Sequence, residues 1–391
     1  MILFKSPGNF LERELLEYPG WSVNSENPPK AHENQKNDQN GENQPAPPHI
    51  QPSHKLRSAN RRDQKILYII EDKIQISQSC DKMGFALVHK ATQAYDRIPL
   101  NTKEGVEIVG RLKEDIENKR AFIVEVLTPR GTDISKTIEL AMNLKRIGIN
   151  VVSITDTPLG RARMSPWAVS HNLVEMGLDV LMHFTRISRN LLRIHADLLG
   201  IHALGIRNLL VLSGDDPKEG DYPESTVLND ITTEDLIRLI RSMNLGYDLK
   251  GRRIKPNTDF LIGAVFNPFI EREIDRAKKK LENGADFLIS QPVFKLDDLP
   301  EFHLDSSKIV ISLVLFRNKK HFRLFAGVPG VRMKDGFIEN MEKLDDDGVR
   351  MRSIESASEI VRKLRNEFAG FYIIGVTTSS WKMVGELLLK V

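Results

Sequence analysis

Cysteine is almost absent from this 391-residue chain, which contains Cys80 and no other. A lone cysteine excludes an intramolecular disulfide and makes a zinc or iron–sulfur site built from cysteines implausible within one chain. An excess of one charge is also missing, because 56 lysines and arginines stand against 53 acids and leave a formal net charge of +3. We therefore expect a protein of a reducing compartment with no general affinity for nucleic acids or membrane surfaces.

Long apolar runs are missing as well. The longest, Ile309–Phe316 (IVISLVLF), is far below the ~20 residues of a membrane-spanning helix and suits a buried strand. The first twenty residues, MILFKSPGNFLERELLEYPG, have neither the apolar stretch of a secretion signal nor the acid-poor composition of a transit peptide. We expect a cytoplasmic protein.

Several motifs of catalysis and cofactor binding are absent too. No strand-like run is followed by the G-x-G-x-x-G phosphate turn of a dinucleotide-binding domain. The sequence contains no P-loop, no nucleophile-elbow serine and no His/Asp/Glu cluster with metal-ligand spacing. These absences argue against a Rossmann domain and against a bound metal.

The N-terminal part differs in composition from the rest of the chain. Residues 22–62 are dominated by Asn, Gln, Pro, Lys and Glu, and such a segment cannot bury enough apolar surface to offset the entropy of ordering. We predict a mostly disordered tail over residues 1–64 and an extension of unknown packing over residues 65–112. Residues 113–391 are predicted to form one catalytic domain.

Beyond residue 120 the sequence alternates between two kinds of segment. Helix-like stretches separate eight strand-like runs, FIVEVL, NVVSIT, DVLMHFT, NLLVLSG, FLIGAVF, DFLISQPVF, IVISLVLF and FYIIGVT. Most of the helix-like stretches stop at a glycine, the usual C-terminal cap. The pattern predicts an α/β fold with parallel strands, either a TIM-type (β/α)₈ barrel or an open doubly wound sheet. We favour the barrel, because polar residues end most of the strands and no Rossmann turn is present.

Two carboxylates stand out among the polar residues at the predicted strand ends. Glu125 lies inside the apolar run IVEVL, and it points into the barrel if Val124 and Val126 face the helices. A carboxylic acid kept protonated there could act as a general acid, whereas pairing with Arg130 is the structural alternative. Asp215, in SGDDP, could stabilise positive charge at the mouth, or the segment could simply be a capped turn.

Other candidates have weaker support. His183 ends the strand-like run DVLMHFT, where a histidine is either a hydrogen-bonded structural residue or part of a site. Lys278, Lys279 and Lys280 form a run that is either a solvated helix face or a ligand for a phosphate group.

Five spaced motifs together resemble those of the methylenetetrahydrofolate reductases, above all the reductase domain found fused to homocysteine methyltransferases. They are VEVLTPRGTD, SITDTPLGRARMSP, HFTRISRN, DLLGIHALGIRNLLVLSGDDPKEGDYP and NGADFLISQPVF. The resemblance covers the chain from about residue 113 to its C-terminus. It implies a barrel that binds FAD and passes hydride from NAD(P)H or another electron donor to 5,10-methylenetetrahydrofolate, giving 5-methyltetrahydrofolate.

The resemblance also implies roles for individual residues. Glu125 would protonate the folate, Asp215 would stabilise the resulting iminium cation and tune the flavin, and Gln291 would hydrogen-bond the pterin. The implied FAD contacts are Thr155, His183, Gly214, Asp215, Lys279 and Lys280. A homo-oligomer or a methyltransferase partner is left open.

The sequence departs from the family pattern in three segments. RISRN stands where the pattern has Cys-Arg-Asp-Arg-Asn, GDDP replaces Gly-Asp-Pro-Pro, and VTTSSW occupies the loop near the last strand that usually carries an arginine. These departures keep two alternatives open on the same fold, namely a catalytically altered pterin- or folate-binding barrel and a methyltransferase-associated partner.

Overall fold

The computed structural model of the chain describes residues 111–327 and 331–391. The predicted disordered tail over residues 1–64 lies outside this part, as does the predicted extension over residues 65–112 except for its last two residues. These last two residues open the first described helix, α1 (Arg111–Glu117).

Eight strands alternate with helices along the described residues. The strands are β1 (Ala121–Val126), β2 (Val151–Ile154), β3 (Asp179–Thr185), β4 (Asn208–Leu212), β5 (Leu261–Phe266), β6 (Phe287–Pro292), β7 (Ile309–Val314) and β8 (Gly370–Ile374). The helices after α1 are α2 (Ser135–Arg146), α3 (Pro166–Glu175), α4 (Leu191–Ala203), α5 (Thr233–Asn244), α6 (Glu271–Glu282), α7 (Lys319–Ala326), α8 (Asp335–Glu342), α9 (Asp346–Leu364) and α10 (Lys382–Leu388). All eight predicted strands are confirmed.

The strands close into a single parallel barrel in the order β1 to β8. Closure occurs between β8 and β1, where Ala121 pairs with Gly370 and Ile123 with Tyr372. The TIM-type barrel is therefore confirmed, and the open doubly wound sheet is excluded. Four predicted glycine caps, Gly148, Gly177, Gly205 and Gly284, all adopt positive φ, as a helix C-cap requires.

Side chains on each strand alternate between two apolar cores. On β1, Val124 and Val126 pack outward with helix residues such as Leu140 and Leu144. Ile123 packs inward with apolar residues of the other strands. The condition set for Glu125 is thus met, because its strand neighbours face the helices and period-two alternation turns its own side chain inward.

Helix α1 covers the N-terminal end of the barrel. Leu112 is fully buried in the inner core, and its backbone N–H donates a 2.8 Å hydrogen bond to Asp179 Oδ2 at the start of β3. The Asn208 side chain donates to the other oxygen of Asp179 at 2.5 Å. Since this end is capped, the carboxyl ends of the strands form the open mouth of the barrel.

Within residues 111–327 and 331–391, no helix combines the length and apolarity needed to cross a bilayer.

The closure of the barrel can be tested with a glycine substitution. A Cβ at Gly370 would lie 2.1 Å from the backbone oxygen of Ala121 on β1, so Gly370→Ala should lower the free energy of unfolding by about 3 kcal/mol or more. Gly200 lies on the exposed face of α4, and a methyl group added there would have nothing within 4 Å. Gly200→Ala is the matched control and should raise stability by about 0.5–1 kcal/mol. Equal urea midpoints for the two variants would contradict this account of barrel closure.

Candidate active site

Glu125 is buried near the C-terminal end of β1, with 5% of its surface exposed. The hydroxyl of Tyr372, on the neighbouring strand β8, donates a 3.0 Å hydrogen bond to Glu125 Oε2. Arg130, the partner considered from the sequence, instead lies 3.7 Å from Asp221 in an exposed position. The carboxylate is therefore held inside the barrel by a neutral donor.

Tyr372 belongs to a larger buried cluster that the sequence did not predict. His183 Nε2 lies 3.1 Å from the Tyr372 hydroxyl and 2.9 Å from Ser153 Oγ. Burial lowers the pKa of His183 well below its usual range, so the imidazole is neutral near pH 7. Burial and the negative charge of Glu125 raise the pKa of Tyr372 well above its usual value, so its hydroxyl keeps its proton.

Asp215 lies just beyond β4 and faces the same mouth. Its Oδ2 accepts a 2.6 Å hydrogen bond from the backbone N–H of Leu159. Burial raises the pKa of Asp215 to about 6, and the negative charges of Glu219 and Glu125 add to the shift while the Leu159 N–H opposes it. Glu125 near the end of β1 and Asp215 just beyond β4 thus both lie toward the C-terminal ends of the strands.

The capped-turn alternative for SGDDP applies to the adjacent residue. Asp216 caps a short 3₁₀ turn by accepting a 3.0 Å hydrogen bond from the backbone N–H of Lys218. Asp215 does not take part in that cap. The two aspartates therefore have separate tasks, and the second negative charge is used by the backbone.

Leu159 is held at Asp215 by an unusual backbone. Thr157 and Leu159 both have positive φ, at 42° and 61°, a conformation that non-glycine residues adopt only at some energetic cost. The loop containing them packs against the loop after β4, where a Cβ on Gly220 would lie 1.9 Å from the backbone oxygen of Gly160. Close contact between two glycines thus fixes the N–H that binds Asp215.

Of two residues predicted to contact FAD, Thr155 has a feature suited to a bound group. The Thr155 side chain is fully buried after β2, and its hydroxyl has no hydrogen-bond partner among the described residues. Gly214 has a φ of 92°, and a Cβ there would lie 2.6 Å from the Ile187 side chain. The orphan hydroxyl of Thr155 fits a polar atom of a bound ligand, whereas the glycine at 214 is explained by its positive φ and by the Ile187 and Thr185 side chains beside it.

The remaining predicted residues lie in different surroundings. Gln291 is buried on β6 at a bulge between Ile289 and Pro292, a feature that often redirects a side chain next to a site. Lys279 is exposed on α6. Lys280 is buried, and its ammonium group donates a 2.7 Å hydrogen bond to the backbone oxygen of Val265 on β5. The structure therefore gives Lys280 a partner in the barrel wall and leaves Lys279 in solvent.

The altered segment after His183 contains a structural ion pair. Arg189 Nη1 donates a 2.9 Å hydrogen bond to Asp156 Oδ2, which also accepts from the Thr185 hydroxyl at 2.8 Å. Arg189 is largely buried and lies 3.3 Å from Asp197 as well. Through Arg189, this segment therefore holds Asp156 in the loop after β2.

A group of arginines on the rim of the mouth was also missed from the sequence. Arg163 Nη1 donates to the backbone oxygen of Thr128 at 2.5 Å. Burial and the nearby charges of Arg130 and Arg161 lower the pKa of Arg163.

The described residues hold no group of three or more His, Cys, Asp or Glu side chains that could bind a metal ion.

Comparison with known proteins points to one family. A family profile described as "Methylenetetrahydrofolate reductase" matches residues 111–382. "Methylenetetrahydrofolate reductase 1" of Schizosaccharomyces pombe is 27% identical over 218 residues, which are 52% of this chain and 34% of that protein. "Probable methylenetetrahydrofolate reductase (NADPH)" of Caenorhabditis elegans is 25% identical over 273 residues, 65% of this chain and 40% of that protein. This chain therefore spans well under half of the length of these two relatives. The family profile covers most of this chain. The chain belongs to the methylenetetrahydrofolate reductase family.

Proposed function

We propose that this chain reduces 5,10-methylenetetrahydrofolate to 5-methyltetrahydrofolate, using bound FAD and NAD(P)H or another electron donor. Family membership supports the reaction class. The observation that carries the proposal is the position of two carboxyl groups in one closed barrel, Glu125 near the C-terminal end of β1 and Asp215 just beyond β4. A reaction that passes through a cation and needs a proton uses one acid and one fixed negative charge.

Glu125 is the proposed general acid. Its position inside an apolar strand keeps bulk water away from the carboxyl group, and a proton delivered there to folate N10 opens the five-membered ring to an iminium cation. The Tyr372 hydroxyl then hydrogen-bonds the carboxylate that remains. Bound FAD would supply the hydride that the iminium carbon accepts.

Asp215 is the proposed counter-charge for that cation. The Leu159 N–H fixes the orientation of the carboxylate before substrate arrives, and a preorganised charge needs no rearrangement when the cation forms. Gln291, buried on β6 near the mouth, is the proposed hydrogen-bonding partner of the pterin.

The proposed FAD site consists of Thr155, Gly214, Asp215 and His183. The Thr155 hydroxyl, which has no hydrogen-bond partner among the described residues, supports contact with the flavin. His183 uses Nε2 inside the barrel, so the opposite edge of its ring would face the flavin. Lys279 and Lys280 stay predicted pyrophosphate ligands, although Lys280 would have to leave its contact with Val265.

The proposed function is tested by anaerobic reduction of the purified, FAD-reconstituted protein. We expect flavin bleaching with NADH or NADPH, followed by reoxidation when 5,10-methylenetetrahydrofolate is added. Protein that binds the folate but is never reduced by either donor would favour the alternative of a catalytically altered binding barrel. Protein that binds no flavin would contradict the proposal.

Glu125→Gln separates the two half-reactions. The variant keeps the size of the side chain but cannot donate a carboxyl proton, so folate reduction should fall by about a thousandfold or more while flavin reduction changes less than about threefold. Glu175→Gln, in the exposed last turn of α3, is the control and should leave both rates unchanged. Stopped-flow absorbance of the flavin measures each step, and equal loss in both would remove Glu125 from the acid role.

Asp215→Asn should slow folate reduction and also stabilise the fold. Because the pKa of folded Asp215 is about 6, above its ordinary value of 3.8, its contribution to stability is present below pH 3.8 and is lost as the pH rises through 6. The variant should therefore gain about 1–3 kcal/mol in unfolding free energy at pH 7.5 and little at pH 4.

Asp216→Asn is the matched control for Asp215→Asn. It removes the same formal charge one residue away and retains an oxygen that can accept from Lys218. We expect a change in unfolding free energy below about 0.5 kcal/mol. If urea denaturation shows no pH-dependent difference between Asp215→Asn and the wild type, folding does not raise the pKa of Asp215.

A further inference from the structure

A continuous set of hydrogen bonds crosses the inside of the barrel beneath the mouth. It joins Glu125 on β1, Tyr372 on β8, His183 on β3 and Ser153 on β2, with separations of 3.0, 3.1 and 2.9 Å. Each of the four side chains is at most 5% exposed. The proposed reaction uses only Glu125 as an acid, and it does not explain why Tyr372, His183 and Ser153 are joined to Glu125 inside the barrel.

The protons in this chain can be assigned from the available acceptors. The Ser153 hydroxyl donates to the backbone oxygen of Leu181 at 3.2 Å, so Ser153 Oγ accepts from His183, which must carry its proton on Nε2. A protonated Nε2 cannot accept from Tyr372. The Tyr372 hydroxyl therefore donates its proton to Glu125 Oε2. The single Nε2–H of His183 lies between two acceptors, Ser153 Oγ and the Tyr372 hydroxyl oxygen.

We propose that Tyr372 is a positioning residue for the general acid, oriented by His183 and Ser153 so that its hydroxyl always points at Glu125 Oε2. This inference rests on the proposed function. A donor fixed on one carboxylate oxygen holds the side chain in a single orientation, and it stabilises the ionised group that proton transfer leaves behind. His183 prevents the tyrosine from rotating away, because its N–H occupies the other side of the hydroxyl.

Among the described residues, the titratable groups near Glu125 include Tyr372 on β8, which donates to it, His183 on β3, which contacts Tyr372, and Asp215 in the loop after β4. Tyr372 and His183 are both neutral near pH 7 because they are buried. The dipole of the Tyr372 hydroxyl therefore stabilises the ionised Glu125 carboxyl group, while the negative charge of Asp215 opposes it. Loss of the hydroxyl should make the ionised form of Glu125 less stable.

Tyr372→Phe tests the proposal with little change in volume. Folate reduction should slow about tenfold with an unchanged KM for folate, and flavin reduction should change less than twofold. A hydrogen bond to an ionised group corresponds to roughly one pH unit, so the alkaline limb of the folate half-reaction should move up by about one unit. Tyr247→Phe is the control, since the Tyr247 hydroxyl accepts from Arg253 outside the barrel, and it should match the wild type.

A second measurement does not need turnover. Isotope-edited infrared difference spectra between wild type and Tyr372→Phe should contain a carboxylate band that disappears when both proteins also carry Glu125→Gln. If this band is found but the wild-type protein does not reduce the folate, the proposed function is overturned and the contact between Tyr372 and Glu125 is still supported. A wild-type pH profile in Tyr372→Phe, or a carboxylate band that persists in the Glu125→Gln background, would overturn the positioning role.

Discussion

The parallel pairing of β8 with β1 is the contact on which the rest of this protein depends. In an open sheet these two strands would lie at opposite edges, and Tyr372 could not reach Glu125. Closure brings the first and last strands side by side, with Gly370 against Ala121 at a distance that no side chain permits. Glu125, the proposed general acid, and the Tyr372 hydroxyl that donates to it are therefore neighbours only because the barrel is closed.

The second organising effect is the burial of polar groups among apolar side chains inside the barrel. Apolar residues such as Ile123, Leu181 and Leu210 fill the layer around the buried cluster. Low polarity favours the uncharged forms of His183 and Tyr372 and makes the charge on Asp215 costly. The same cost makes that charge useful, because an ion that is poorly solvated interacts strongly with a cation placed beside it.

Much of this could be predicted from the sequence, because strand runs and glycine caps are local signals. Period-two alternation also placed Glu125 correctly inside the barrel. Tyr372 was missed because it lies in an apolar run, FYIIGV, where a tyrosine has the same pattern as a phenylalanine; its need for a hydrogen-bond partner was the available signal. The Leu159 N–H could not be found, since it depends on left-handed backbone angles at two non-glycine residues. The surroundings of Lys280 could not be predicted either, because its long side chain reaches back to the backbone of β5 instead of pointing into solvent.

The close contact between the backbones of Gly160 and Gly220 makes the conformations of the loops after β2 and β4 depend on each other. A side chain on Gly220 would collide with the opposing backbone, and the collision would displace the N–H that orients Asp215. A side chain added at Gly160 or Gly220 would therefore force the opposing loop to move. Exchange of loops between barrels of this kind, in evolution or in the laboratory, would have to transfer both loops together to preserve the site.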